Sequence, residues 1–394
     1  LTRRVAFVVQ RYGPDVTGGS ESLARAVAER LAATHEVTVF TSCARDYVTW
    51  RNEYPEGETT ENGVKVRRFR VTEERDLAAF NAFAEPLYLR AASDAEEQEF
   101  LRRQGPHVPA LVEALTAVKD RFDAVLFFTY LYYPTWAGLR AAPERAILVP
   151  TTHDEPPLRF RLYRDVFALP RAFAFLTPPE EALVRSRFEL GARPAVVAGI
   201  GIDAIPAPDV EGFRIRRRVD RPYAIYAGRI DAGKGCEEML AFFEAYRGDH
   251  VGGLDLLLIG NLAMPAPATP GVRYLGYLDE AEKAAALAGA RAVVCPSPYE
   301  SLSIVLLEGL AQGVPALATA RSSVLVDHCR RSNGGLWYDG PAEFSEALDL
   351  LARDDGLRMR LGDQGRAYVA ASYSWEQVLA RYRSLIDAVT PRRG

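Results

Sequence analysis

The sequence predicts an α/β protein built from two domains, and three observations carry that expectation. Strand-like and helix-like stretches alternate from the start: VAFVV at 5–9, an amphipathic run over 20–33, then VTVFTS at 37–42. Alternation with short connections means a parallel sheet covered by helices on both faces. The pattern halts at GIGID (199–203), which Pro206 and Pro208 follow, and it starts afresh at Pro222, leading into YAIYAGRIDAGKG. A chain of 394 residues is long enough for two such cores and a cleft between them.

Composition narrows the function classes. Apolar residues make up 48% and charged residues 25%, which is ordinary for a soluble globular enzyme. The net charge of −4 gives a nucleic-acid partner no global electrostatic support. Cys43, Cys236, Cys295 and Cys329 are widely scattered and fit no metal spacing, which suggests a reducing cytoplasm. The opening LTRRVAFVVQR reads as a first strand and not as a signal peptide. No apolar run is long enough to span a bilayer, so any membrane contact is expected to be peripheral.

Ligands of such sheets bind outside the carboxyl ends of the strands. The first such end is the loop GPDVTGGSE (13–21), where Gly18 and Gly19 permit close backbone approach and Ser20 is expected to cap the next helix. Taken alone it is a strand-to-helix turn. VKVRRFRV (64–71) is a strand. The less regular segment 72–107, with Phe80, Phe83 and Tyr88, reads as a helical excursion packed on the domain, its functional alternative being an acceptor pocket. AVLFFTYLYY is a buried strand running into a tyrosine-rich loop, and AILVPTTHDEP is a strand ending in Thr151, Thr152, His153 and Asp154. Arg159, Arg161, Arg164 and Arg171, interleaved with apolar residues, read as a solvated helix face or as attraction to an anionic acceptor or lipid headgroup.

In the second half, an arginine-rich segment over 214–221 is expected to be solvated. Gly228 to Lys234 matches a phosphate loop's two glycines and lysine, but Gly235 replaces the hydroxyl residue that would hold magnesium, so an ATPase reading falls. LDLLLIG (254–260), VRYLGYL (272–278), ARAVVCPS (290–297) and PALAT (315–319) continue the strands, with helices expected over 342–351, 363–371 and 375–389. Between them lies the most informative stretch, PSPYESLSIVLLEGLAQGVP (296–315), a loop opening into a buried helix that Gly313 and Pro315 stop. Its carboxylates Glu300 and Glu308 sit in an apolar setting and need partners, which a hydroxyl-rich ligand would supply. The amides of Ser301, Leu302 and Ser303 would lie at the helix N-terminus, where an anion such as phosphate is favoured. The plain alternative is that Ser301 or Ser303 caps the helix and the glutamates form salt bridges.

A Glu, seven residues, Glu motif behind a Pro-Ser step resembles the signature of retaining glycosyltransferases of family 4. That resemblance implies the GT-B fold: two Rossmann-like domains with a cleft between them and a C-terminal helix crossing back to the N-terminal domain near Tyr373 to Trp375. It implies an acceptor domain over 1–204, completed by 373–394, and a nucleotide-sugar donor domain over 205–372. Gly19 then belongs to the family's N-terminal glycine loop and His153, read with Asp154 as a His-Asp pair, to its cleft histidine. Arg229 and Lys234, in AGR and GKG, resemble the pair that meets the donor diphosphate. Tyr277 and Leu278, with Gly276, occupy the place where backbone reads the base. Glu300 falls to the sugar hydroxyls, Glu308 to the ribose, and Ser301, Leu302 and Ser303 to the phosphates. The chain departs from the family at Leu302 and Ser303, where Phe and Gly are usual.

The activity implied is transfer of a sugar from a nucleotide-diphosphate donor, UDP-sugar or alternatively GDP-sugar, to a glycan, lipid-linked or small-molecule hydroxyl. The setting is polysaccharide, glycoconjugate or secondary-metabolite synthesis. No cofactor is expected, and no metal, since no Asp-x-Asp site stands out. A cytoplasmic location follows, with peripheral contact at the inner membrane face left open. Rival readings are a sugar-nucleotide epimerase of the same architecture and a non-catalytic nucleotide- or glycan-binding module. A dinucleotide dehydrogenase is weaker, because GxGxxG is missing from the first strand-helix turn.

Overall fold

Two sheets organise the chain. The first runs in the order β3-β4-β2-β1-β5-β6-β7-β8, where β1 is Arg4–Val8, β2 Glu36–Ser42, β3 Gly57–Glu61, β4 Val64–Phe69, β5 Ala124–Phe128, β6 Ala146–Val149, β7 Ala172–Phe175 and β8 Ala195–Val197. All its pairings are parallel except β3 with β4. The second is parallel throughout, in the order β11-β10-β9-β12-β13-β14, where β9 is Tyr223–Ala227, β10 Asp255–Ile259, β11 Val272–Tyr274, β12 Val293–Cys295, β13 Ala316–Thr319 and β14 Gly335–Tyr338. The computed structural model describes residues 2–203 and 205–391. By internal contacts the chain divides into Leu1–Ile200 with Val378–Gly394 as one unit and Gly201–Gln377 as the other. The boundary expected at residue 204, and the last three residues of the terminal segment, lie outside the described residues.

Each unit has its own apolar core. In the first, the unbroken run AVLFF of β5 is buried along its whole length, as a central parallel strand requires. The segment 72–107 holds two helices, Leu77–Tyr88 and Asp94–Gln104, the second opened by a full capping box from Ser93 and Glu96. Phe80, Tyr88, Phe100 and Phe160 meet ring to ring, and Phe83 is partly buried against the same core, so the segment packs on the unit. The second core gathers Ala224, Phe243, Leu256, Leu258, Val294, Leu317 and Tyr338 from the sheet and its covering helices.

The arginines of segment 214–221 are exposed or half-exposed, as expected, and the first of them close the helix Val210–Arg217, whose Arg216 and Arg217 pair with Glu282. Other expectations are corrected. Arg161 pairs with Asp94 at 2.9 Å, and Arg159 to Arg164 lie in short turns over buried Leu162 and Tyr163, so there is no continuous basic helix face. Ser20 does not cap its helix: the helix is Gly19–Leu31, Gly18 holds the cap position without a side-chain bond, and the Ser20 hydroxyl donates to Glu21 at 2.8 Å. The helix expected over 363–371 already starts at Asp355.

Each sheet reverses its strand order once, at β1/β5 in the first and at β9/β12 in the second. Ligand crevices form at such points. Near the first of them the loop after β6 is anchored by Glu180, 1% exposed, whose carboxylate accepts from the Thr152 amide at 2.6 Å, the Thr152 hydroxyl at 3.1 Å and the Leu176 amide at 2.5 Å. Burial pushes this carboxyl up to about 7, against the pull of those hydrogen bonds and of His153. Between the ordinary carboxyl value and about 7, the folded chain keeps a proton that the unfolded chain has released, so the Glu180 contribution to stability falls as pH rises. Urea midpoints of Glu180→Gln should therefore lack the part of the decline between pH 5 and 7.5 that the parent chain shows; identical slopes would contradict the assignment.

Candidate functional site

The two loops that leave the neighbouring strands β9 and β12 meet at the second switch point. After β9, Asp231 caps a short turn over Ala232–Lys234: its Oδ1 accepts from the Lys234 amide at 2.8 Å, while its other oxygen pairs with Arg229. One carboxylate thus ties the Arg229 guanidinium to the backbone of the Lys234 turn. After β12 the chain passes through Pro296 to Glu300 and into the helix Ile304–Ala311. The Lys234 ammonium donates to Glu300 Oε1 at 2.8 Å, with a third of the lysine side chain and 17% of the glutamate exposed.

Gly235 lets the loops come this close. It has φ +73°, and a Cβ on it would collide with the carbonyl oxygen of Pro296. The residue that breaks the phosphate-loop pattern is therefore required by the packing of one site loop on the other.

Glu308 lies on the second turn of its helix and is matched by Lys283, whose ammonium donates to Oε1 at 2.9 Å. Its other oxygen is buried and has no hydrogen-bond partner among the described residues. Burial raises the carboxyl above its ordinary value, with the Lys283 charge pulling the other way. Burial also works against the Lys283 ammonium, but Glu308 and Glu280 outweigh it and raise its pKa. Tyr277 is exposed, Leu278 is buried, and Asp279 then caps the helix Glu280–Ala288 that carries Lys283.

The loop amides differ from expectation by a step. Ser303, at φ +67°, holds the cap position without a side-chain capping bond, and Leu307 is the first helical amide to find an intrahelical carbonyl, that of Ser303. The amides without an intrahelical partner therefore run from Ser303 to Leu306, one residue and more past the predicted Ser301 and Leu302. Leu302 is buried, with its carbonyl accepting from His328 at 2.8 Å.

Gly19 and His153 belong to the first unit. A Cβ on Gly19 would meet nothing within 4 Å; the fold demands glycine at Gly18 instead, where φ is +151° and a Cβ would strike the Glu21 carboxylate that pairs with Arg11. His153 lies 3.4 Å from Glu155, which also accepts from Tyr130 at 2.8 Å, and Asp154 binds Arg187 at 3.0 Å. Thr151, just before, is held at φ +52°.

Asp231, Lys283 and His328 were missed by sequence reasoning. Lysine rarity was the available signal for one: the chain has four lysines among 48 basic residues, and the two in the second unit pair with the two motif glutamates. Among the described residues no group of three or more His, Cys, Asp or Glu is placed to hold a metal ion, and no helix is long and apolar enough to cross a membrane.

Residues 211–368 match the family described as glycosyl transferases group 1. A phosphatidyl-myo-inositol mannosyltransferase of Propionibacterium freudenreichii subsp. shermanii is 33% identical over 196 residues, which is 48% of this chain and 50% of that protein. The chain spans about half the length of the curated relatives it matches. Among solved structures, a sucrose-phosphate synthase from Thermosynechococcus elongatus superposes with a TM-score of 0.74 at 20% identity, over 98% of this chain and 100% of that one. Anabaena HepE in complex with UDP and glucose gives 0.71 at 12% identity, over 98% and 100%. These likenesses show the fold, which is GT-B.

The Gly235 contact generates a test. A Gly235→Ser variant, which completes the phosphate-loop pattern, should melt at least about 2–4 °C lower, since the left-handed backbone alone costs a side-chain-bearing residue about 1–2 kcal/mol. An unchanged melting temperature would show that the two loops are not held together there.

Proposed function

We propose that the chain is a retaining glycosyltransferase of family 4, moving a sugar from a nucleotide-diphosphate donor to a hydroxyl acceptor. The observation that carries this reading is the double pairing of Lys234 with Glu300 and Lys283 with Glu308 at the second switch point, within the segment that matches the group 1 family. Such a site offers cations to a diphosphate and carboxylates to sugar hydroxyls. The donor domain is 205–372 and the acceptor domain 1–204 with 373–394.

Arg229 and Lys234, with the amides of Ser301, Leu302 and Ser303 and the first turn beyond, receive the charge that builds on the diphosphate as it departs. Glu300 holds the transferring sugar by its hydroxyls. Glu308 binds the ribose, its second oxygen still able to accept a hydrogen bond. The main chain at Tyr277 and Leu278 reads the base, and Gly19 and His153 serve the acceptor side and the transferring sugar. The bond from the anomeric carbon to the diphosphate oxygen breaks, leaving an oxocarbenium-like sugar. The acceptor oxygen then bonds to that carbon from the same face, and its proton leaves with the diphosphate. Cationic side chains take the part a metal ion would play, so no metal is assigned. UDP-sugar is the favoured donor, in keeping with the UDP held by HepE, with GDP-sugar the alternative. The acceptor is a glycan, a lipid-linked or a small-molecule hydroxyl, reached in the cytoplasm or at the inner membrane face.

The reading is tested by incubating the chain with a panel of sugar nucleotides and following slow hydrolysis and the product anomer by NMR. Turnover of a UDP-sugar with retained configuration, unaffected by chelator, is expected; interconversion of the donor sugar without release of UDP would favour an epimerase. Lys234→Ala should cost about a hundred- to thousandfold in turnover with the fold intact, and near-normal turnover would remove Lys234 from the mechanism. Calorimetry of Glu308→Gln should give UDP affinity about 10- to 100-fold weaker, since a hydrogen bond to a charged group is at stake, whereas unchanged affinity would return Glu308 to a structural duty.

A further inference from the structure

His328 lies in the helix Ser323–Ser332, fully buried, and the proposed chemistry makes no use of it. Its Nε2 is 2.8 Å from the Leu302 carbonyl, its Nδ1 is 3.0 Å from the Tyr368 hydroxyl, and that hydroxyl is 3.3 Å from the hydroxyl of Tyr373. A carbonyl can only accept, so Nε2 carries the proton. Nδ1 must then accept from Tyr368, and Tyr373 donates in turn to the Tyr368 oxygen. Burial lowers the ring pKa to about 4, which keeps the imidazole in the neutral form this chain of bonds requires.

The Leu302 carbonyl belongs to the same planar unit as the Ser303 amide, and in a trans peptide the two point in opposite directions. Fixing that carbonyl on His328 aims the Ser303 N–H away from the core. The anchor is needed, because Ser303 sits at φ +67°, a left-handed backbone that a Cβ disfavours, and no side-chain cap holds it there.

We propose that His328 is a positioning residue for the donor: it locks the Leu302–Ser303 peptide so that the Ser303 amide donates to the diphosphate. Tyr368 and Tyr373 fix its tautomer. The inference rests on the donor site proposed above.

UDP and uridine separate the possibilities, because only one of them carries the diphosphate. By calorimetry His328→Leu should bind UDP about 10-fold or more weakly while uridine affinity stays within about twofold of the parent. His328→Gln, which retains an amide donor for the Leu302 carbonyl, should recover most of the lost UDP affinity. Tyr368→Phe, which leaves the ring but frees its tautomer, should lose UDP affinity selectively and by less. Should His328→Leu fail to fold, the Gln and Phe variants decide: equal losses for UDP and uridine in both would assign His328 to structure alone. UDP binding unchanged in His328→Leu would overturn the positioning role but leave the donor site standing. Should the parent chain bind GDP and not UDP, the same comparison is made with GDP and guanosine; a parent chain that binds none of these nucleotides would overturn the donor site itself, and this inference with it.

Discussion

A carboxylate drawn out of water has to be matched by a cation, and the second unit meets that requirement twice in one place. Glu300 and Glu308 flank the N-terminus of a single apolar helix, and each is met by a lysine brought from elsewhere in the chain. The pairs are partly exposed, so as pairs they add little to stability, about 0–1 kcal/mol each, while removing one partner alone would leave a half-buried charge unmatched. Their larger consequence is order. With Asp231 restraining Arg229 and the Lys234 amide together, cationic and anionic groups stand in place before any ligand arrives.

The choice of lysine is informative in a chain that uses arginine almost everywhere. Arginine presents a planar fork, suited to holding one carboxylate with two bonds, whereas lysine is a compact point charge with three rotatable donors. An ammonium bonded to one oxygen of Glu300 keeps donors for a second anion. Thr129 after β5, Thr151 after β6 and Ser303 after β12 are three of the eight non-glycine residues held at positive φ among the described residues. Each costs of order 1–3 kcal/mol, supplied by the surrounding structure, and the Glu180 and His328 hydrogen bonds at two of these loops are part of that supply.

The alternation of strands and helices was legible in the sequence because parallel strands buried on both faces read as apolar runs. So was the loop-to-helix stretch around Glu300, whose prolines and apolar run have direct backbone meaning. Strand β3, GETTE, was not: it is a polar edge strand, exposed along nearly all its length, with no alternation to read. Strand β8 is three residues long and only half-buried along its length, too short an apolar run to mark it. The partners of the site were hidden for another reason. Lys283 meets Glu308 across 25 residues and His328 meets Leu302 across 26, and a periodic pattern carries no information on contacts between elements. Likewise, adjacency in sequence said nothing about Arg187, which binds Asp154.

The proposed donor site requires a nucleotide diphosphate seated between the Lys234 loop and the Glu300 helix. Hydrogen–deuterium exchange with and without saturating UDP tests it most directly. Slowed exchange concentrated in 228–236, 275–279 and 300–308 is the predicted result; slowing confined to other segments, or none at a concentration where UDP is bound, would contradict it.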